Sequence, residues 1–327
     1  MAGNPRFFGR KYKLTLDTPE GGSKVFEVED GKPAMDIKFD VTYARGQVAR
    51  EGTISILGLG YSTMQEYLSL AAMTRGLAMS HLVHVSLEAG YFTDAGMLRI
   101  LDGFVWHASV TSPPNMWLTL KVSEFHPLGG RAVQLGDISN MKIRPAVQSV
   151  MDKFSDVEGV DFEVEDETED QILDSGKKMV SLPFGGKNYS IGDAIRFLNS
   201  NVSDDVYFIL LTRDDERDTR TLIAVDKGTE KATEGDIEIN GDTGLLSVTG
   251  IDAVNGCITT FIDGAVDDTF SHLNLTSILN PQANGRYYIC KKQYVGHYMG
   301  QEWYTRYFCS AREGDSEQED ENRRIEA

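Results

Sequence analysis

Only three cysteines, Cys257, Cys290 and Cys309, occur in 327 residues. They are odd in number and show no CxxC or Cys/His ligand spacing, which argues against a disulfide scaffold and predicts a reducing compartment. Long hydrophobic runs are missing too. No stretch approaches the roughly 18 apolar residues of a membrane span, and the opening MAGNPRFFGRKYKLTLDTP has basic residues without the apolar core of a signal peptide. A cytoplasmic chain with no stable membrane association is expected. Positive charge is scarce, with 32 Lys and Arg against 50 Asp and Glu, a formal net charge of -18. A tight grip on nucleic acid needs clustered Lys and Arg on the phosphates, so that class of function is disfavoured.

The acidity is local. Residues 152–174 hold eleven acids against Lys153, a net of -10, and residues 312–327 hold seven acids against three arginines, a net of -4, so only -4 of the -18 remains for the rest. A hydrophobic share of 41% and a charged share of 25% are ordinary for globular proteins, and the length suits two or three domains. The last residues, REGDSEQEDENRRIEA, hold almost nothing apolar and are expected to be a disordered acidic tail.

Period-two alternation dominates what is present. In MDIKFDVTYA, Ile37, Phe39, Val41 and Tyr43 alternate with Asp36, Lys38, Asp40 and Thr42, a strand with one wet face. EGTISILGLG reads as the next strand. STMQEYLSLAAM then reads as a helix, with Ser62 and Gln65 spaced as a capping box. The stretch LEAGYFTDAGMLRILDGFVWHASV, 87–110, raises the question of a phosphate-cradling glycine loop. Such a loop ends a strand and opens a helix, whereas strands lie on both sides here, so Gly90, Gly96 and Gly103 are expected as turn or bulge positions, as is Gly285 farther on. Phe104 and Trp106 are expected to face inward. Trp117, opposite Met116 and Leu118 in parity, is expected outward.

Near 129 the pattern changes. ISNMKIRPAVQSVMDKF reads as a helix with Pro145 near its start, YSIGDAIRFLNSN as a helix capped by Ser190 and Asp193, and DVYFILLTRDDERDTRTLIAVD as a hairpin. After KGTEKATEGD the strands return through IEINGDTGLLSVTG, GCITTFIDG, GRYYICKKQYVGHYM and EWYTRYFCSA. The expected class is α+β, mainly β, with antiparallel β units over 1–128 and 230–311. A middle α+β domain spans 129–229 and contains the acidic segment 152–174; the tail spans 312–327.

No residue pattern carries chemistry. His81 and His84 lack a third metal ligand nearby. A glycosidase pair could be imagined among Asp161, Glu163 and Glu165, but adjacent acids are more simply a solvated face. Cys257 and Cys290 read as small buried residues, with His272 and His297 the histidines that a nucleophile would need. There is no GxSxG, HExxH, Walker or dinucleotide signature. Trp106, Trp117 and Trp303 with nearby tyrosines could stack on sugar, yet an outward tryptophan is more simply an interface anchor. No catalytic residue, metal or cofactor is expected.

The order of GTISILGLGYSTMQEYL, VHVSLEAGYFTDAGMLRILDGFVWHASVTSPPNMWLTLKVSE, INGDTGLLSV and LTSILNPQANGRYYICKKQYVGHYMGQEWYTRYFCSA resembles bacteriophage tail or baseplate hub proteins over about 35–125 and 205–310. The acidic insert and the short charged tail depart from that pattern. The resemblance implies two small antiparallel β-barrels related to tail-tube proteins in each protomer. It implies a homotrimer that joins the tail tube protein to a central spike protein among other baseplate proteins, in a virion assembled in the host cytoplasm. Genomic DNA would only pass through its lumen. Trp117, Tyr91, Trp303 and Tyr304 are then the interface candidates. A peptidoglycan hydrolase housed in the middle domain and a free carbohydrate-binding module are the alternatives.

Overall fold

The computed structural model describes residues 9–44, 49–72, 77–93, 96–125, 132–136, 141–166, 173, 188–201, 206–211, 219–226, 237–252, 255–263 and 272–312. The tail beyond Arg312 and the acids between 167 and 172 and at 174 lie outside them.

Alternating burial builds the first β unit. In β1 (Arg10–Asp17) Tyr12, Leu14 and Leu16 are buried, and in β3 (Ile37–Ala44) Ile37, Phe39, Val41 and Tyr43 are buried with lysine, aspartate and threonine between them. With β2 (Ser23–Glu27), β4 (Glu51–Leu57), β5 (His84–Tyr91), β6 (Met97–Val110) and β7 (Trp117–Ser123) they form the order β3-β4-β7-β6-β5-β1-β2, all neighbours antiparallel. The expected helix is α1 (Tyr61–Ala71). It starts at Gly60 without a side-chain cap, and Ser62 lies within it, so the capping box does not form. Met64, Tyr67 and Ala71 pack onto the same core as β1 and β3.

One face assignment is corrected. The register of β6 against β7 slips between Val105 and His107. This bulge reverses the parity: Phe104 and Val105 are both buried, Ala108 and Val110 pack on the core with Val105, and Trp106 is left half-buried under Lys121. Trp106 is therefore not a core residue. Beyond the next turn, Leu118, Leu120 and Val122 are buried and Trp117 faces outward as expected.

The middle region contains α2 (Ile143–Glu158), β9 (Asp161–Asp166), α3 (Ile191–Asn201), the hairpin of β11 (Val206–Leu211) and β12 (Thr219–Asp226), and a short pairing of β8 (Val133–Gln134) with β10 (Asn188–Tyr189). In α2, Ala146, Val147, Val150, Met151 and Phe154 recur at helical spacing and are buried. The Ser190 hydroxyl accepts the Asp193 N–H and donates to its carboxylate, which caps α3. The acidic stretch is largely structured: β9 runs parallel to β12, burying Phe162 and Val164 while Asp161 and Glu163 face solvent.

The last unit holds β13 (Ile237–Ile239), β14 (Leu245–Asp252), β15 (Asn255–Thr260), β16 (His272–Leu275), β17 (Gly285–His297) and β18 (Trp303–Arg312). It is not a separate sheet. The second half of β17 pairs with β3, from Lys291 opposite Ala44 to His297 opposite Lys38, so both β units belong to one mainly antiparallel 13-stranded sheet running β14-β15-β18-β17-β3-β4-β7-β6-β5-β1-β2. The parallel pair β13 and β16 hangs on the first half of β17. Three apolar clusters underlie this arrangement, one per β unit and one in the middle region, and they cross the sequence divisions. Trp303 and Tyr294 pack with the first β unit, while Phe104 and Phe125 pack with the middle helices.

Candidate assembly surface

Buried charges lock the middle region to the first β unit. Arg220 of β12 is fully buried; its Nη2 lies 3.3 Å from Asp102 Oδ1 of β6, and its guanidinium covers the Phe104 ring at 5.0 Å. His84 Nε2 is 2.8 Å from the same Asp102 oxygen, and His84 Nδ1 is 3.3 Å from Asp17 Oδ2. Burial works against the charge on Asp102, yet the His84 hydrogen bond and the charges of His84, Arg220 and Arg99 outweigh it and hold the carboxyl below its usual range. Nearby, Glu124 accepts from Arg50 Nε at 2.6 Å and from the Arg50 N–H at 2.9 Å, with both side chains buried. Glu158 of α2 accepts the Met79 N–H at 2.9 Å. These contacts fix orientation, since a buried pair adds little net stability but is costly to break.

None of these groups is arranged as a nucleophile with its base. His84 spends both ring nitrogens on carboxylates, and among the described residues no group of three or more His, Cys, Asp and Glu could hold a metal ion. Cys257 and Cys290 are half-buried rather than buried, and burial pushes the Cys309 thiol well above its usual range, which keeps it protonated.

The four aromatic candidates separate into two pairs. Tyr91 and Trp303, expected at an interface, are core residues instead. Tyr91 meets Phe261 edge-on at 6.1 Å, and Trp303 meets Phe39 edge-on at 5.2 Å while its indole N–H donates to the Gly90 carbonyl at 3.3 Å. They join the two β units within the chain. Trp117 and Tyr304 do face outward, each half-buried beneath a cation: Lys38 Nζ lies 4.3 Å from the Trp117 ring centroid and the Arg306 guanidinium 4.8 Å from that of Tyr304.

The glycines are placed by close approach and turn geometry. A Cβ on Gly90 would lie 1.9 Å from the Gly96 carbonyl oxygen, and one on Gly103 would lie 2.5 Å from that of Ser123. Gly96 takes φ +67° where the β5–β6 hairpin turns, and Gly285 opens β17. No helix follows β5 directly, so no phosphate cradle forms.

The surface feature that the sequence reading missed is apolar. Ile278 and Leu279 are 91% and 97% exposed, in the loop between β16 and β17. With Leu245, Leu246 and Val248 of β14 they line a groove of about 410 Å³ that contains no charged residue. Two adjacent aliphatic residues in a turn cluster ending at Gly285 were the available signal. Apolar patches rimmed by polar residues mark interaction sites more often than solvated surface.

No protein-family profile matches the sequence, and none of the curated proteins does. Solved structures do. A tail protein from Neisseria meningitidis MC58 aligns over 93% of this chain and 97% of its own, at 9% identity and TM-score 0.58. The 43 kDa tail protein of prophage MuSo2 from Shewanella oneidensis aligns over 92% and 98%, at 10% identity and TM-score 0.51. The E. coli c3393 protein, a component of the type VI secretion system with structural similarity to T4 bacteriophage tail proteins gp27 and gp5, aligns over 87% and 76%, at 10% identity and TM-score 0.54. The expected likeness to tail proteins is borne out at the level of the fold, over 87–93% of the chain.

Proposed function

We propose that this chain is a structural, non-enzymatic virion protein of a phage tail or baseplate, a trimeric hub that joins the tail tube to a central spike. The observation that carries this reading is the alignment of 93% of the chain with 97% of a tail protein. In this reading, residues 1–128 and 230–311 are tube-like barrel units, residues 129–229 are an α+β domain seated by the Asp102–Arg220 lock, and three copies give six similar units around a channel. Genomic DNA passes along that channel without being gripped, which suits a chain of net charge -18. Tail tube, spike and other baseplate proteins are its partners, and the virion is its location after assembly in the host cytoplasm.

The match to c3393 favours a second reading, a hub of a type VI secretion system with the same geometry and a different cargo. Imaging of the assembled particle tests the first reading. A threefold ring between tube and spike in a DNA-filled virion supports it, the same ring in a secretion apparatus supports the second, and a single-copy location contradicts both. Incubation with peptidoglycan should release no soluble fragments; release would reinstate the hydrolase alternative.

A further inference from the structure

Residues opposite one another across an antiparallel ladder share a face of the sheet. One such row crosses five strands: Tyr304 of β18, Val295 of β17, Asp40 of β3, Thr53 of β4 and Lys121 of β7 lie opposite one another in turn. Buried Thr305, Tyr294, Val41, Ile54 and Leu120 flank them, so the row lies on the face turned away from the core. The five strands contain only two acids, Asp40 and Glu51, in a chain with 50. Asp40 accepts from Gln293 Nε2 at 2.9 Å rather than from a lysine.

Four cations stand on this face, each over an aromatic ring. Lys38 Nζ lies 4.3 Å from the Trp117 centroid, Lys121 Nζ 5.3 Å from that of Trp106, Lys291 Nζ 5.0 Å from that of Phe308, and the Arg306 guanidinium 4.8 Å from that of Tyr304. Lys38 and Lys121 are exposed, and Lys291 and Arg306 are half-buried. None of the four has a carboxylate partner among the described residues, whereas Lys11, Lys24 and Lys32 elsewhere on the chain each pair with a glutamate. A ring attracts a cation and fixes its side chain without neutralising its charge. The face thus holds four positioned, uncompensated positive charges in a strongly acidic chain.

We propose that this face receives an acidic surface patch of a different protein, whose carboxylates pair with Lys38, Lys121, Lys291 and Arg306. Charge complementarity selects the occupant. A DNA duplex carries one charge per about 1.7 Å, so long-range repulsion from a chain of net charge -18 weighs most heavily on it. A second copy brings the same -18. A protein whose acids are confined to one patch meets the four cations with the least such penalty, and tryptophan, tyrosine, phenylalanine and arginine are the residues that anchor protein interfaces. The inference goes beyond the hub reading, which assigns no surface to any partner.

Binding titrations of the full chain test it, with poly-L-glutamate as the acidic probe and duplex DNA beside it. One variant carries Lys38→Gln, Lys121→Gln, Lys291→Gln and Arg306→Gln. A second carries Lys11→Gln, Lys24→Gln, Lys32→Gln and Arg196→Gln, which removes four ion-paired cations and leaves the same net charge as the first. Circular dichroism of both should match wild type. Wild type should bind poly-L-glutamate at low salt, the first variant should bind about tenfold or more weakly, and the second should bind as wild type does. Equal losses in both variants would assign the effect to net charge alone, and absence of binding by wild type would leave the face without an acidic partner. Tighter binding of duplex DNA through the same four cations would replace the protein by nucleic acid, and loss of self-association in the first variant alone would make the occupant another copy. Each of these four results overturns the inference, while the hub reading is tested separately by imaging of the assembled particle.

Discussion

The indole N–H of Trp303 donates to the carbonyl of Gly90, 213 residues earlier in the chain, at 3.3 Å. That bond ties β18 of the last unit to β5 of the first inside one apolar cluster. Trp303→Ala leaves a cavity there and should cost about 3–5 kcal/mol. Denaturant titration should show both β units unfolding together at the lower midpoint; a midpoint within experimental error of wild type would contradict the packing described.

Trp117 and Trp106 should behave otherwise. Each is half-buried beneath a lysine, so truncation to alanine removes a cation–π contact of about 0.5–1 kcal/mol and a partly covered ring rather than a fully packed core side chain. Thermal melts of Trp117→Ala and Trp106→Ala should both lie nearer wild type than that of Trp303→Ala. A loss of more than about 3 kcal/mol in Trp106→Ala would place it in the core and remove the bulge between Val105 and His107.

Gly90→Ala puts a methyl 1.9 Å from the Gly96 carbonyl oxygen, and backbone must move to admit it. A cost of about 1–3 kcal/mol is expected. Gly241→Ala, with nothing within 4 Å of the added carbon, is the control and should melt close to wild type.

The Asp102 lock gives stability a pH dependence of definite sign. Its carboxyl is held below the usual range in the fold, so its contribution is complete above the unfolded value of about 3.9 and falls away as pH drops through the lower folded value. Asp102→Asn should lose stability at pH 7 and show a shallower further loss than wild type on acidification below about pH 4. Equal slopes in urea titrations across that range would contradict the lock.

Much of the fold was legible because one wet face per strand writes itself as alternation, as in Ile37, Phe39 and Val41 of β3; the same alternation in Tyr12, Leu14 and Leu16 of β1 was not read as a strand. The caps of α3 were legible for the same local reason. Trp106 was misread because a single extra residue in β6 reverses parity, and nothing local announces the bulge. Trp303 was misread because aromatics occupy both faces of β18, leaving alternation uninformative. The pairing of β17 with β3 joins residues about 250 apart and has no local signature. Arg220 had one: a lone cation in TRTLIAVD, whose partner Asp102 only the fold supplies.

The central claim is that this chain works as a wall element among copies of itself. Electron microscopy of the purified full-length chain at high concentration, with mass measured on the same sample, addresses it most directly. The account predicts threefold particles of three times 36.3 kDa around an open channel. Uniform 36.3 kDa particles under all conditions, including in the presence of tube and spike proteins, would contradict it.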